Sequence, residues 1–146
     1  MAHEDAGHYA AKHPGGKIDK AVAEAIAAKG KDGRITCAAA HAIAKKLAVS
    51  PQVVGINIDL LENRIRRCQM GLFGYDRKTS KKVKPAGMVT QKLKTAIREA
   101  SDGDRITCLA AWQLAERMGL TKLELASACE ALEIKVKKCQ LGAFKS

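Results

Sequence analysis

Aromatic side chains are almost missing from this chain: Phe, Trp and Tyr make up 3% of its 146 residues, and there is one Trp. A core without large rings has to be built from small side chains. The 47% hydrophobic content, rich in Ala, therefore predicts helices that cross closely. No apolar run approaches the roughly 20 residues that span a bilayer, and no basic-then-apolar leader opens the chain, which points to a cytoplasmic protein with no membrane partner. Acidic residues are few, 15 against 26 Lys and Arg, and the resulting net charge of +11 with a pI near 9.6 favours a polyanionic partner such as nucleic acid. Five cysteines are an odd number for a secreted disulfide framework. Nucleophile elbow, P-loop, zincin helix and Gly-rich dinucleotide turn are all missing, so the chain is expected to be neither an enzyme nor a cofactor carrier.

What is there is a repeat. Arg34-Ile35-Thr36-Cys37 returns as Arg105-Ile106-Thr107-Cys108, and Cys68-Gln69-x-Gly71-x-Phe73 returns as Cys139-Gln140-x-Gly142-x-Phe144, always 71 residues later and without a gap. A fixed period this long means two copies of one small domain. The expected layout is a flexible N-terminal tail at 1–12, a first copy at 13–75, a basic linker at 76–83 and a second copy at 84–146. Net charges of −1, +5, +3 and +4 for these four segments spread the positive excess over both copies and the linker. His3, His8 and His13 recur every five residues, which does not stack them on one helical face.

Each copy reads as three helices with short extended pieces. Ile18, Ala21, Val22, Ala25 and Ile26 have the spacing of one buried helical face, repeated as Val89, Leu93, Ala96, Ile97 and Ala100. Arg34–Thr36 is a very short extended piece, after which Thr36 is placed to cap a second helix whose apolar side is Ala40, Ile43, Ala44 and Leu47. Ser50 before Pro51, and the capping box Thr121-Lys122-Leu123-Glu124, open the third helix of each copy. Val54, Ile58 and Leu61 mark its buried side in copy one, and Leu125, Cys129 and Leu132 do so in copy two.

Ala44, Val49-Ser50 and Val54 are spaced as in a helix-turn-helix, and Ala115, Gly119, Leu120, Thr121 and Leu125 match that pattern with the turn Gly present. The basic, β-branched stretches Arg64–Gln69 and Lys135–Gln140 that follow add to the likeness, so each copy resembles the winged helix-turn-helix superfamily. The fold this implies is mainly α with short β elements: two tandem winged-helix-like domains, in which the strand after helix three pairs with the piece before helix two. Only Met70–Tyr75 remains for a returning strand, so a stub of a wing is expected rather than a full one.

The function implied by the resemblance and the charge is binding of double-stranded DNA, mainly through phosphates, in a transcriptional regulator. Candidate contacts are Lys45, Lys46, Gln52, Arg64, Arg66 and Arg67 in copy one, Lys78, Lys81 and Lys82 in the linker, and Arg117, Lys122, Lys135, Lys137 and Lys138 in copy two. Helix three itself is poorly supplied with base readers. Its face away from the core carries Gln52, Gly55, Ile56 and Asp59, or Lys122, Leu123, Ala126, Ser127 and Glu130, with Asn57 as a further polar group. Those small and apolar residues also suit a homodimer or a protein partner docking on helix three of either copy.

Cys37, Cys68, Cys108 and Cys139 match between the copies, whereas Cys129 does not. A helix N-terminus or two adjacent basic residues would favour a thiolate at the matched positions, and pairing of the extended pieces would bring each couple together as a redox pair or half a metal site. The same residues also read as small buried hydrophobes. Their spacing is not that of a zinc ribbon, so no metal is assigned. Cys37 and His41 share a helical face, but Trp112 stands where the second copy would need the His.

Overall fold

The computed structural model describes residues 9–75 and 81–144. The tail residues 1–8 with His3 and His8, the linker residues 76–80 with Lys78, and residues 145–146 lie outside the described residues. The described residues are mainly helical: α1 (Lys20–Lys29), α2 (Cys37–Leu47), α3 (Pro51–Leu60), α4 (Gln91–Ala100), α5 (Cys108–Met118) and α6 (Lys122–Ala131). Four three-residue strands accompany them, β1 (Arg34–Thr36), β2 (Arg64–Arg66), β3 (Arg105–Thr107) and β4 (Lys135–Lys137). Each element from α1 to β2 recurs 71 residues later with the same length, so the sequence repeat is a structural one.

The helices start where a side chain satisfies their open amides. Asp19, Thr36, Ser50, Thr90, Thr107 and Thr121 each accept a hydrogen bond from the backbone N–H three residues on, a contribution of about 1 kcal/mol per helix. At α6 the box is complete, because Glu124 accepts from the Thr121 amide at 2.9 Å in return. Ile18, counted into the first apolar stripe, lies ahead of the Asp19 cap and is exposed. The cap ends the helix before the periodicity does.

α2 packs on α3 and α5 on α6, with Ala40, Ala44 and Val54 buried in the first pair and Ala111, Ala115 and Leu125 in the second. Small residues at the crossing answer the shortage of aromatics. The turn between the helices leaves α2 through a left-handed residue, Ala48 at φ 54°, and α5 through Gly119 at φ 68°. Glycine adopts that conformation without strain, so copy one carries a small cost that copy two does not.

β1 pairs with β2 and β3 with β4, both parallel. The α2–α3 and α5–α6 hairpins are the crossovers that a parallel pair requires. After β2 no strand returns among the described residues; Gln69–Tyr75 is a run of turns and bends, and Gln140–Ala143 repeats this after β4.

Contacts divide the chain into two units, Met1–Cys68 with Gln140–Phe144 and Gln69–Cys139 with Lys145–Ser146. The division differs from a simple cut at the linker. Each Cys-Gln-x-Gly-x-Phe strip, from its Gln onward, belongs to the unit built on the other copy's helices. In unit one the backbone of Leu141 lies so close over α3 that a Cβ on Gly55 would overlap the Leu141 carbonyl oxygen. In unit two Gly71, at φ 73°, accepts hydrogen bonds from the amides of Lys82 and Val83 at 2.7 and 2.9 Å.

Residues 9–12, assigned to the tail from sequence, form a short 3-10 turn held in unit one. Tyr9 is buried, and the amides of Tyr9 and Ala10 donate to the Glu62 carboxylate at 3.0 and 2.7 Å. Lys12 and His13 both reach Asp59, at 3.1 and 2.7 Å. Lys12 also donates to the Gly142 carbonyl, which ties the turn to the strip.

Candidate nucleic-acid interface

The parallel register decides which side chains face outward. Ile35 and Ile65 are opposite one another and buried, so the residues flanking them point the other way. Arg34 is thereby placed opposite Arg64, and Thr36 opposite Arg66. Arg67 follows in the left-handed region at φ 53°, exposed. Lys31 joins them across a tight turn, its amide donating to the Arg34 carbonyl at 2.8 Å and the Arg34 amide returning the bond at 3.0 Å. Lys31, Arg34, Arg64, Arg66 and Arg67 have no ion-pair partner among the described residues.

Unit two repeats the geometry with weaker charge. Arg105 is opposite Lys135, and Thr107 opposite Lys137. Asp102 and Asp104 now stand where copy one has Lys31 and Gly33. Asp102 lies 3.4 Å from the Lys137 ammonium, and Asp104 lies 3.8 Å from the Arg105 guanidinium. Copy two thus partly neutralises its own cations, and the stronger positive potential belongs to copy one.

The other candidates form separate groups. Lys45 and Lys46 are exposed in the last turn of α2, and Gln52 is exposed at the start of α3. They stand at the opposite end of α3 from β2, roughly 15 Å away along a ten-residue helix. Arg117 and Lys122 occupy the matching end in unit two, with the Lys122 ammonium 4.4 Å from the Trp112 ring centre. Lys81 is bound to Glu130 at 2.7 Å, and Lys82 lies 5.5 Å from the Tyr75 ring. Lys135 and Lys138 are exposed beside β4. The structure therefore brings Arg64, Arg66 and Arg67 together in unit one and Lys135, Lys137 and Lys138 together in unit two.

Helix three is not the open face expected from its sequence. Gly55, Asn57, Asp59 and Ala126 are buried. Asn57 is used internally, accepting from the Asp19 amide and donating to the Val53 carbonyl. The two acids of that face, Asp59 and Glu130, are each held by lysine. A base-reading or dry partner surface centred on Gly55 or Ala126 is consequently closed within the unit itself.

Lys31, Arg34 and Arg105 were not among the sequence candidates. The signal was available in Arg34-Ile35-Thr36 and Arg64-Ile65-Arg66, two alternating stretches whose pairing puts an Arg beside an Arg. Comparison of the chain with known protein families, with curated proteins and with solved structures finds no match.

All five cysteines are thiols: Cys37, Cys68, Cys108 and Cys129 are buried and Cys139 is half-buried. Burial, reinforced by the neighbouring Glu130 charge, pushes the Cys129 thiol up to about 11, which keeps it protonated at neutral pH. Among the described residues no three His, Cys, Asp or Glu side chains converge as a metal site, and no helix is long and apolar enough to cross a membrane.

Proposed function

We propose that this chain is a cytoplasmic, non-catalytic DNA-binding protein, a degenerate tandem helix-turn-helix that grips duplex phosphates with the outward faces of its β pairs and acts in transcriptional regulation. The observation that carries the reading is the cation placed opposite a cation in both ladders, Arg34 with Arg64 and Arg105 with Lys135. Like charges facing one another across neighbouring strands destabilise a sheet by a few tenths of a kcal/mol or more. A polyanion laid across the pair turns that repulsion into attraction. The net charge of +11 and the left-handed turns joining α2 to α3 and α5 to α6 support the same reading.

In this mechanism specificity is low. Backbone contacts fix position without reading sequence, and the middle of α3 and of α6, Gly55, Asn57 and Ala126 included, is buried and supplies no side chain to a groove. Copy one, with Lys31 in place of Asp102, supplies the larger share of affinity. Gel retardation with a random duplex tests this. Changing Arg34, Arg64 and Arg66 together to Gln is expected to abolish the shifted band at moderate salt. The matched change of Arg105, Lys135 and Lys137 weakens it less. Equal retention by both triple variants would overturn the assignment.

A further inference from the structure

Unit two has a groove whose lining copy one does not reproduce. It has a volume of about 630 Å3, and its apolar wall includes Leu109, Trp112 and Leu123. Its polar lining includes Gln113, Glu116 and Lys122. The copy-one residues at these six positions are Ala38, His41 and Gln52, then Ala42, Lys45 and Pro51. Every one of the six differs, whereas Ala115, which also lines the groove, matches Ala44 of copy one. Leu109 is 51% exposed at this site, a cost to solubility that folding does not require.

We propose that this groove binds a free apolar α-amino acid, of the size of leucine or phenylalanine. The volume falls in the range of small-molecule sites. The walls suit an apolar side chain. The charges decide the rest. Lys122 is held against the Trp112 ring, 4.4 Å from its centre, and offers an ammonium to a carboxylate. Glu116 is exposed, has no ion-pair partner among the described residues and offers a carboxylate to an ammonium. A simple organic acid would meet Glu116, and a simple amine would meet Lys122. Only a zwitterion satisfies both, with the Gln113 amide available to the remaining carboxylate oxygen. The site is independent of the DNA reading, since none of its residues is a phosphate contact in the sheet.

Trp112 is the only Trp in the chain, so its emission, excited where phenylalanine does not absorb, reports on the groove directly. Titration of the full chain with L-phenylalanine and L-leucine is expected to give a saturable change with a Kd on the order of 0.1–1 mM. Phenylacetate and phenethylamine, each lacking one charge, bind about tenfold more weakly or worse. Leu109→Ala and Glu116→Gln, checked for helix content by circular dichroism, lose the response by a similar factor. Flat emission with both amino acids overturns the proposal, and so does phenylacetate or phenethylamine binding as well as phenylalanine.

Discussion

Gly55→Ala inverts an ordinary expectation and tests the exchanged strip. On an open helix, replacing an interior Gly by Ala stabilises by about 1 kcal/mol. Position 55 lies within α3, but the added methyl would overlap the Leu141 carbonyl oxygen and come within 2.9 Å of its Cα. Those are backbone atoms, which cannot rotate aside. Two outcomes remain. If α3 shifts, it moves Val54 and Ile58, both fully buried, against the rest of the core, and such overpacking costs about 1–3 kcal/mol. If the strip leaves instead, Leu141, buried to 1% exposure, returns to water at a cost of about 1.5–3 kcal/mol. After the helix-propensity gain is subtracted, the variant gains no stability and is destabilised by up to about 2 kcal/mol. Urea unfolding of the full chain measures it, and Leu141→Ala in both backgrounds separates the routes. In the wild type that truncation costs about 2–4 kcal/mol, whereas after strip release it costs almost nothing. A Gly55→Ala chain more stable than wild type by about 1 kcal/mol would refute the close approach of the strip.

The same geometry yields further expectations. Replacing Lys12 and His13 together by Ala leaves Asp59 buried without its two partners, which costs about 3 kcal/mol or more, and Asp59→Asn in that background restores most of it; urea midpoints check both. With a thiol reagent under native conditions, Cys139 reacts first and Cys129, buried and pushed up to about 11, reacts only on unfolding. Two hydrogen bonds from Thr121, the backbone one first, hold the Glu124 carboxyl below its ordinary range. Its contribution is therefore complete above that range and is lost as pH falls through the lowered folded value, so Glu124→Ala destabilises at neutral pH and matches wild type in strong acid; unfolding curves at the two pH values read the difference.

Much of the fold was legible because its causes are local. Thr36, Ser50 and Thr121 announce helix starts through hydrogen bonds three residues long, and the 71-residue offset announces the duplication. What was not legible depends on distant backbone. Nothing in Gln140–Phe144 says that Leu141 will lie on Gly55 of the other copy; the only trace is a glycine at a helix position where copy two tolerates Ala126. The buried state of α3 followed from that contact, so residues that look outward by periodicity, Gly55 and Asp59, point at the strip and at Lys12. The basic strands were legible as exposed cationic stretches, but the placing of Arg34 and Lys31 beside them depends on the parallel register. The groove in unit two was not legible because Leu109 and Trp112 lie on α5 and Leu123 on α6, so that only the packing of the two helices brings them together.

The central claim is that the outward face of the copy-one sheet holds phosphates. Its most direct measurement is the salt dependence of duplex binding by fluorescence anisotropy. Each phosphate neutralised contributes about 0.9 to the slope of log affinity against log salt. Removing the charges of Arg34, Arg64 and Arg66 should therefore flatten the slope by about 2–3 units while the chain stays folded. A slope unchanged in that variant, with affinity retained, would contradict the account.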